Sequence, residues 1–161
     1  MIEIRSLFYR ATKSPTSADS LQLLLFKTST KNPLIIGYQG MSQMMLCLHT
    51  YNPYTKLSYF HKGKTLLENA INNDPKNIEL RFLRLTVQLN TPSVLMYKTN
   101  IEEDKRTIFN GVSTIIDIDL LQRILNYTVA AKQISVDEKK IMQEAIFKNK
   151  NLTTQTTIKK A

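Results

Sequence analysis

The sequence predicts an all-α fold, and three features support this prediction. Only 4 glycines and 5 prolines occur in 161 residues, too few for the tight reversals of a β-sandwich or barrel. Apolar residues recur three or four positions apart along most of the chain, which is the spacing of one helix face. Apolar residues also make up 42% of the sequence, which is enough for a substantial core, so disorder is not expected.

A proline marks the boundary between the first two predicted helices. The first helix covers residues 2–13 and ends at Ser14-Pro15, because the residue before a proline avoids the helical region. The second covers residues 18–28, with Ser17 as its predicted N-cap. It carries an apolar arc wide enough to be buried on more than one side: Leu21, Leu23, Leu24, Leu25 and Phe26.

The third helix is predicted to lie close against another helix, and prolines mark both ends of the fourth. The third covers residues 33–49 and contains Gly37 and Gly40. Because each glycine inside a helix costs about 1 kcal/mol relative to alanine, we expect another helix to lie close against this surface. The fourth helix begins at Asn52-Pro53, a cap followed by a proline at the first helical position, and stops at Asp74-Pro75.

The assignment of residues 78–90 depends on their surroundings. Apolar residues alternate there as in a strand, but no partner strand or hairpin turn lies beside them, so we predict a helix buried on several faces. The next helix begins at Asn100, which forms a capping-box pattern with Glu103, and ends near residues 110–111. Residues 112–118 fit either a short extended stretch or a helix start.

Two further helices and a tail complete the chain. One helix begins at Asp119, and the last begins at Ser135, which forms a second capping-box pattern with Glu138. The tail, 148–161, has few apolar residues to bury and is predicted to be flexible. Residues 1–147 are predicted to form a single helical-repeat domain.

The net charge of +9 is spread unevenly along the chain. Residues 1–64 carry eight Lys and Arg against two acids, residues 65–147 carry ten against eleven, and residues 148–161 carry four against none. A basic first third attracts nucleic acid, an acidic partner or a membrane surface over long range. The alternative is an ordinary lysine-rich surface in water.

The sequence carries no recognisable transport signal. No apolar run approaches the roughly 18 residues that span a bilayer, and the first residues lack the basic start and apolar middle of a secretory signal. We expect a cytoplasmic location, with export as the alternative if a signal was removed before Met1. The single Cys47 forms no internal disulfide.

No pattern for catalysis or for metal binding is recognisable. His49 and His61 are the only histidines, and with Cys47 they are too few for a four-ligand zinc site without carboxylates from elsewhere. The chain contains no glycine-rich phosphate loop, nucleophile elbow or His-Glu-x-x-His motif. The sequence therefore predicts a protein that is not an enzyme, with no cofactor and no metal.

One short stretch resembles a known repeat family. The spacing Gly63-x3-Leu67-x2-Ala70-x4-Pro75 is similar to the second-helix signature of the tetratricopeptide repeat. The wider segment 33–106 also resembles a group of small bacterial proteins of tetratricopeptide-like helical type. The resemblance implies antiparallel helix pairs stacked as a short solenoid or right-handed superhelix, a scaffold for which it names no ligand.

Three polar residues on the fifth helix depart from that family pattern. Arg81, Arg84 and Gln88 lie at positions i, i+3 and i+7 of an otherwise apolar segment. Our hypothesis is that they line a groove and receive an acidic side chain or a peptide C-terminus. The alternatives are an internal ion pair, with Glu68 or Asp117 as partner, or an exposed stripe.

The predicted function is binding rather than chemistry. Stacked helix pairs form extended concave surfaces, so we expect a scaffold that binds a protein or peptide. The alternative is binding of nucleic acid or an acidic surface through the basic first third, where aromatic rings able to stack on bases alternate with lysines: Tyr51, Tyr54, Lys56, Tyr59, Lys62 and Lys64. Tyrosines at this spacing also pack the edge of a core with their hydroxyls in water.

Overall fold

The computed structural model describes residues 1–27 and 29–158, with side chains described as far as Phe147. The predicted all-α class is confirmed, because these residues form helices and no strand. None of the described helices has both the length and the apolar composition needed to cross a bilayer. Within the described ranges there are eight α-helices and three short 3-10 turns. The α-helices are α1 Ile2–Ala11, α2 Pro15–Phe26, α3 Pro33–Leu46, α4 Pro53–Asn73, α5 Ile78–Asn90, α6 Ile101–Gly111, α7 Ile118–Ala130 and α8 Val136–Ile158.

The start of α2 lies three residues before the predicted start. Ser14 is the N-cap, and its hydroxyl accepts a hydrogen bond of 3.3 Å from the backbone N–H of Ser17. Pro15 occupies the first helical position, where an N–H would have no helical partner and its absence costs nothing. The prediction of Ser17 as the cap was therefore wrong, because Ser14 takes this role and Pro15 begins the helix.

The predicted starts of α3 and α4 are confirmed, as is the predicted stop of α4. Asn32 and Asn52 cap these helices through their side-chain oxygens, each followed by a proline at the first helical position. Helix α4 ends at Asn73, immediately before Asp74-Pro75. Helix α3 ends earlier than predicted, since its last turn, Cys47–His49, tightens into a 3-10 helix.

Glycines let α3 and α4 meet backbone to backbone, so the close approach of another helix expected at the α3 glycines is confirmed. A Cβ on Gly40 would lie 2.6 Å from the carbonyl oxygen of Gly63, and a Cβ on Gly63 would lie 2.5 Å from the carbonyl oxygen of Gly40. Gly37 similarly leaves room for the side chain of Leu80. The backbone contact means that no side chain larger than hydrogen fits at either Gly40 or Gly63.

Residues 78–90 form the predicted helix, which is buried on several faces. Its strand-like alternation arises because polar residues interrupt the apolar ones, yet those polar residues are also buried. The buried residues of α5 are Glu79, Leu80, Arg81, Phe82, Leu83, Arg84, Leu85, Gln88 and Leu89. Because a polar residue inside a core needs a partner, these polar residues of α5 are expected to make buried polar contacts.

The two predicted capping boxes have different outcomes. At α8 the box is confirmed: the Ser135 backbone N–H donates to Glu138 Oε2 at 2.7 Å, and the Glu138 N–H donates to Ser135 Oγ at 3.2 Å. At α6 the helix begins where predicted, but the Asn100 side chain makes no hydrogen bond to the helix backbone. Its amide donates to the Glu103 carboxylate at 3.3 Å instead.

The ambiguous segment before α7 contains both kinds of structure. Val112–Thr114 form a 3-10 turn, and Ile115 is extended. Helix α7 then begins at Ile118, one residue before the predicted start, because the Asp117 carboxylate caps it by accepting from the Leu120 N–H at 3.1 Å.

The chain forms two compact units, Met1–Leu83 and Arg84–Ala161. Each has its own buried apolar residues, such as Leu21 and Leu67 in the first and Ile108 and Ile124 in the second. The predicted repeat domain, 1–147, spans both units and stays a prediction. The predicted flexible tail, 148–161, lies outside the residues whose side chains the structure describes.

A buried ionic cluster joins three helices of the first unit. Arg5 on α1 forms a bidentate pair with Glu79 on α5, with Nε 2.6 Å from Oε1 and the terminal nitrogen 2.7 Å from Oε2. The Tyr38 hydroxyl on α3 donates to the same Oε1 at 2.6 Å, and the Phe8 ring packs edge-on against Tyr38. Burial, together with the nearby carboxylate, raises the pKa of Tyr38 far above its usual value, so its hydroxyl remains a donor.

Substituting Gly40 with alanine tests the backbone contact between α3 and α4. The new methyl group would meet backbone atoms of Gly63 and Leu67, so we expect a loss of about 1–3 kcal/mol in the free energy of unfolding. The measurement is urea denaturation followed by circular dichroism. Gly111→Ala is the matched control, because Gly111 ends α6 with a negative φ and alanine favours a helix. Equal stability of the two variants would contradict the close contact.

Substituting Glu79 with glutamine tests the buried cluster. The change deprives the Arg5 charge of its buried carboxylate, so we expect a loss of about 3–5 kcal/mol in the free energy of unfolding. Tyr38→Phe keeps the ion pair and should cost less. The double variant Arg5→Met, Glu79→Leu replaces both charges by apolar groups and should recover most of the loss. A double variant as unstable as Glu79→Gln would contradict this explanation.

Candidate functional site

The three residues predicted to line a groove are all buried. Arg81, Arg84 and Gln88 expose 7%, 3% and 0% of their surface. They lie along one face of α5, as the i, i+3, i+7 spacing requires. The role of each side chain is therefore inferred from its contacts inside the protein.

Arg81 belongs to the first unit and supports the turn before its own helix. Its Nε donates to the carbonyl oxygen of Pro75 at 2.9 Å. Pro75 lies in the short connection between α4 and α5. The bond therefore fixes the connection through which α4 leads into α5.

Arg84 forms a bidentate ion pair inside the second unit. Its Nε lies 2.8 Å from Asp104 Oδ2, and its terminal nitrogen lies 2.7 Å from Asp104 Oδ1. The Glu103 carboxylate is 3.7 Å from the same terminal nitrogen, and Asp104 is fully buried. Paired guanidinium and carboxylate groups in this fork geometry are among the strongest hydrogen-bonded contacts. The pair holds α5 against α6.

Asp104, the partner of Arg84 in this pair, was not among the candidates considered from sequence, Glu68 and Asp117. Asp104 lies in the first turn of α6. The helix dipole is sufficient to explain an acid at that position, so the sequence provided no reason to look for a partner. The spacing of Asp104 could have indicated its burial. Ile101 lies three residues before it and Ile108 four residues after it, so Asp104 shares the apolar face of α6. The hypothesis that the three polar residues receive a partner's carboxylate stays a prediction.

Gln88 lies deepest of the three. Its amide nitrogen is 3.4 Å from the side-chain oxygen of Asn100. Its own oxygen, Oε1, has no hydrogen-bond partner among the described residues. Buried acceptors are normally hydrogen-bonded, so of Arg81, Arg84 and Gln88 it is Gln88 that has a buried acceptor without a hydrogen bond to a described residue.

The cysteine and the histidines make structural contacts. The Cys47 thiol donates to the carbonyl oxygen of Lys56 at 3.2 Å, and burial raises its pKa, which disfavours the reactive thiolate. His49 Nε2 donates to the carbonyl oxygen of Ala11 at 2.8 Å, whereas His61 is exposed. Within the described part of the chain, no three His, Cys, Asp or Glu residues are grouped so as to hold a metal ion.

A small cavity in the second unit contains a tyrosine hydroxyl. It measures about 270 Å³ and is lined partly by Asn90, Tyr127 and Lys132. The Asn90 amide donates to the Tyr127 hydroxyl at 2.9 Å. Burial raises the pKa of Tyr127, so this hydroxyl is less acidic than an ordinary tyrosine.

The first unit carries a larger surface groove, which we call the α2–α4 groove. Its volume is about 540 Å³, and it is lined by Phe26, Gln43, His61, Lys62, Thr65 and Leu66. Helix α2 buries only one side, so Leu23 and Phe26 remain 75% and 46% exposed. The sequence had suggested burial of this arc on more than one side, but of its five apolar residues only Leu21 and Leu25 are buried. Its outer apolar residues therefore face solvent.

The surface of the first unit is strongly basic. Its exposed acids are Glu3 and Asp19, since Glu68 and Asp74 are partly buried and Glu79 is buried. Its exposed basic residues are Arg10, Lys13, Lys27, Lys31, Lys56, Lys62 and Lys76. Lys62 lines the α2–α4 groove and is exposed, so the groove has a basic rim at this residue.

Comparisons with models of known protein families, with curated proteins and with solved structures find no match. The tetratricopeptide resemblance therefore depends on this chain's own spacing from Gly63 to Pro75 and stays a prediction.

Substituting Arg84 with alanine separates a structural role from a binding role. The variant leaves the buried Asp104 carboxylate without its guanidinium partner, so we expect a loss of about 3–5 kcal/mol in the free energy of unfolding. The matched control is Arg106→Ala, which removes an exposed arginine from the same helix as Asp104 and should change stability by less than about 0.5 kcal/mol. Thermal denaturation of both variants provides the test. Similar small losses in the two would contradict the structural role of Arg84.

Proposed function

We propose that the protein is a non-enzymatic, tetratricopeptide-like helical scaffold that binds a protein partner. The partner we propose is an acidic amphipathic helix that lies in the α2–α4 groove. The observation that carries the proposal is the exposed apolar side of α2, which continues into a groove with a basic rim.

The groove offers the contacts that a helical peptide requires. Amphipathic helices bind by placing apolar residues at i, i+3 or i+4, and i+7 into an apolar groove. Leu23 and Phe26 are three apart on α2 and Leu66 lies on α4, so apolar side chains are available on both sides. Burying a large apolar side chain contributes about 1.5–3 kcal/mol, so each apolar anchor adds to the affinity.

The charge of the first unit favours an acidic partner. Exposed lysines around the groove attract an acidic peptide over long range and increase its association rate. Because exposed ion pairs contribute at most about 1 kcal/mol each, the apolar anchors supply most of the affinity. The basic rim therefore selects the partner, while the groove retains it.

The packing of α3 and α4 supports the repeat-like part of the proposal. A Cβ on Gly40 would contact Gly63, and a Cβ on Gly37 would lie 3.7 Å from the Cβ of Ala70. Gly40 thus lies opposite Gly63, and Gly37, earlier on α3, lies opposite Ala70, later on α4. The two helices are therefore antiparallel. Gly63 and Ala70 are the positions at which the tetratricopeptide signature has small residues, and here they lie at the helix contact.

Substituting Phe26 with aspartate tests the proposed groove. The change places a carboxylate among the apolar anchors and opposite an acidic ligand, so we expect the Kd for an acidic amphipathic peptide to rise at least tenfold. The peptides come from a displayed library of acidic helices, and binding is measured by fluorescence anisotropy. The control is Val94→Asp, an equally drastic change at a residue that is 84% exposed in the second unit. Circular dichroism confirms that both variants fold.

Two outcomes would contradict the groove proposal. One is a library in which acidic amphipathic sequences are not enriched over scrambled sequences of the same composition. The other is an equal loss of binding in the Phe26 and Val94 variants, since the loss would then not depend on the groove.

A further inference from the structure

Three tyrosines of the first unit project into water instead of packing on the core. Tyr51, Tyr54 and Tyr9 are 100%, 84% and 59% exposed. For Tyr51 and Tyr54 this contradicts the expectation that they pack the edge of a core. Tyr59, considered with them from sequence, is partly buried and does not belong to this group. Tyr9, Tyr51 and Tyr54 are called the tyrosine platform below.

A hydrogen bond brings the two distant parts of the platform to the same end of the first unit. His49, in the turn before α4, donates to the carbonyl oxygen of Ala11 at the end of α1 at 2.8 Å. Tyr9 lies two residues before Ala11, and Tyr51 two residues after His49. The two segments are 38 residues apart in sequence, which is why sequence spacing did not group Tyr9 with the others.

The backbone that carries Tyr51 and Tyr54 is held in place before any ligand arrives. The Asn52 side chain between them accepts hydrogen bonds from the N–H groups of Tyr54 at 2.9 Å and Thr55 at 3.1 Å. Pro53 fixes a further backbone angle at the same point. Binding through a preorganised backbone loses less conformational entropy than binding through a flexible loop.

Both segments that carry the platform contain basic residues, and neither contains an acid. Segments 9–13 and 48–57 include Arg10, Lys13 and Lys56 but neither Asp nor Glu. The Lys13 ammonium lies 5.2 Å from the centre of the Tyr9 ring, within the range of a cation–π contact. Exposed aromatic faces and cations therefore occur together here.

We propose that the tyrosine platform binds single-stranded nucleic acid by stacking its bases on the tyrosine rings while the nearby lysines contact phosphates. A base stacked on an aromatic side chain contributes about 1–3 kcal/mol, largely regardless of sequence. A duplex hides the faces of its bases, so a single strand is the form that the rings accept. This binding is independent of the α2–α4 groove and its peptide.

The surroundings of the exposed rings favour nucleic acid over a membrane surface. Anchoring at a bilayer requires a continuous apolar face, whereas here the neighbouring segment contains polar residues such as Thr50, Asn52 and Thr55. A ring that is open to water on both faces is instead suited to insertion between two bases.

The test measures binding of the full chain to a fluorescent single-stranded oligonucleotide of twelve nucleotides by anisotropy. The double variant Tyr51→Ala, Tyr54→Ala should bind at least tenfold more weakly, and Tyr51→Phe, Tyr54→Phe should bind as the wild type does, because phenylalanine keeps the stacking face. An abasic strand of equal length should bind the wild type as weakly as the ordinary strand binds the alanine variant. Affinity should fall as salt rises.

The matched control is Leu57→Ala, an exposed apolar neighbour whose loss should leave oligonucleotide binding unchanged. Equal binding of the ordinary and abasic strands would overturn the proposal, because charge alone would then explain it. So would unchanged binding by the alanine variant. Tyrosine-dependent binding to anionic lipid vesicles, with no tyrosine dependence for the oligonucleotide, would assign the platform to a membrane surface instead.

Discussion

The buried carboxylate of Glu79 is the contact on which the first unit depends. It accepts from Arg5 and from Tyr38, so one side chain on α5 joins α1 and α3. Removing a guanidinium and a carboxylate from water costs several kcal/mol for each ion, and only the paired geometry offsets this cost. Helix packings that separate the two ions are therefore strongly disfavoured, and the cluster specifies one arrangement of α1, α3 and α5.

The rotation of α4 about its axis determines both proposed binding surfaces. The backbone contact between Gly40 and Gly63 allows only one face of α4 to meet α3. Tyr54, His61 and Thr65 are spaced by seven and four residues and lie on the opposite face, where all three are exposed. Tyr54 belongs to the tyrosine platform, while His61 and Thr65 line the α2–α4 groove. One face of α4 thus contributes residues to both surfaces.

The sequence predicted local features better than distant ones. Proline breaks and the caps at Asn52 and Ser135 were predictable, because the residues that form them are adjacent. The wrong prediction of Ser17 as the N-cap of α2 also concerns neighbouring residues, because Ser14, three residues earlier, caps the helix instead. The pairing of Arg5 with Glu79 joins residues 74 positions apart, which no periodicity reveals. Exposure of the tyrosines was also hidden, because periodicity shows which residues share a face but not what covers that face.

The Asn-Pro starts of α3 and α4 have a consequence for the order of folding. Each helix start is set by adjacent residues, and the contact between Gly40 and Gly63 closes a loop of only about twenty residues. The contact between Arg5 and Glu79 closes a much longer one. Because short loops close with a smaller loss of entropy and contact order governs folding rate, we infer that the α3–α4 hairpin forms first. Helix α1 then docks onto it, and the ion pair forms as the last step of folding of the first unit.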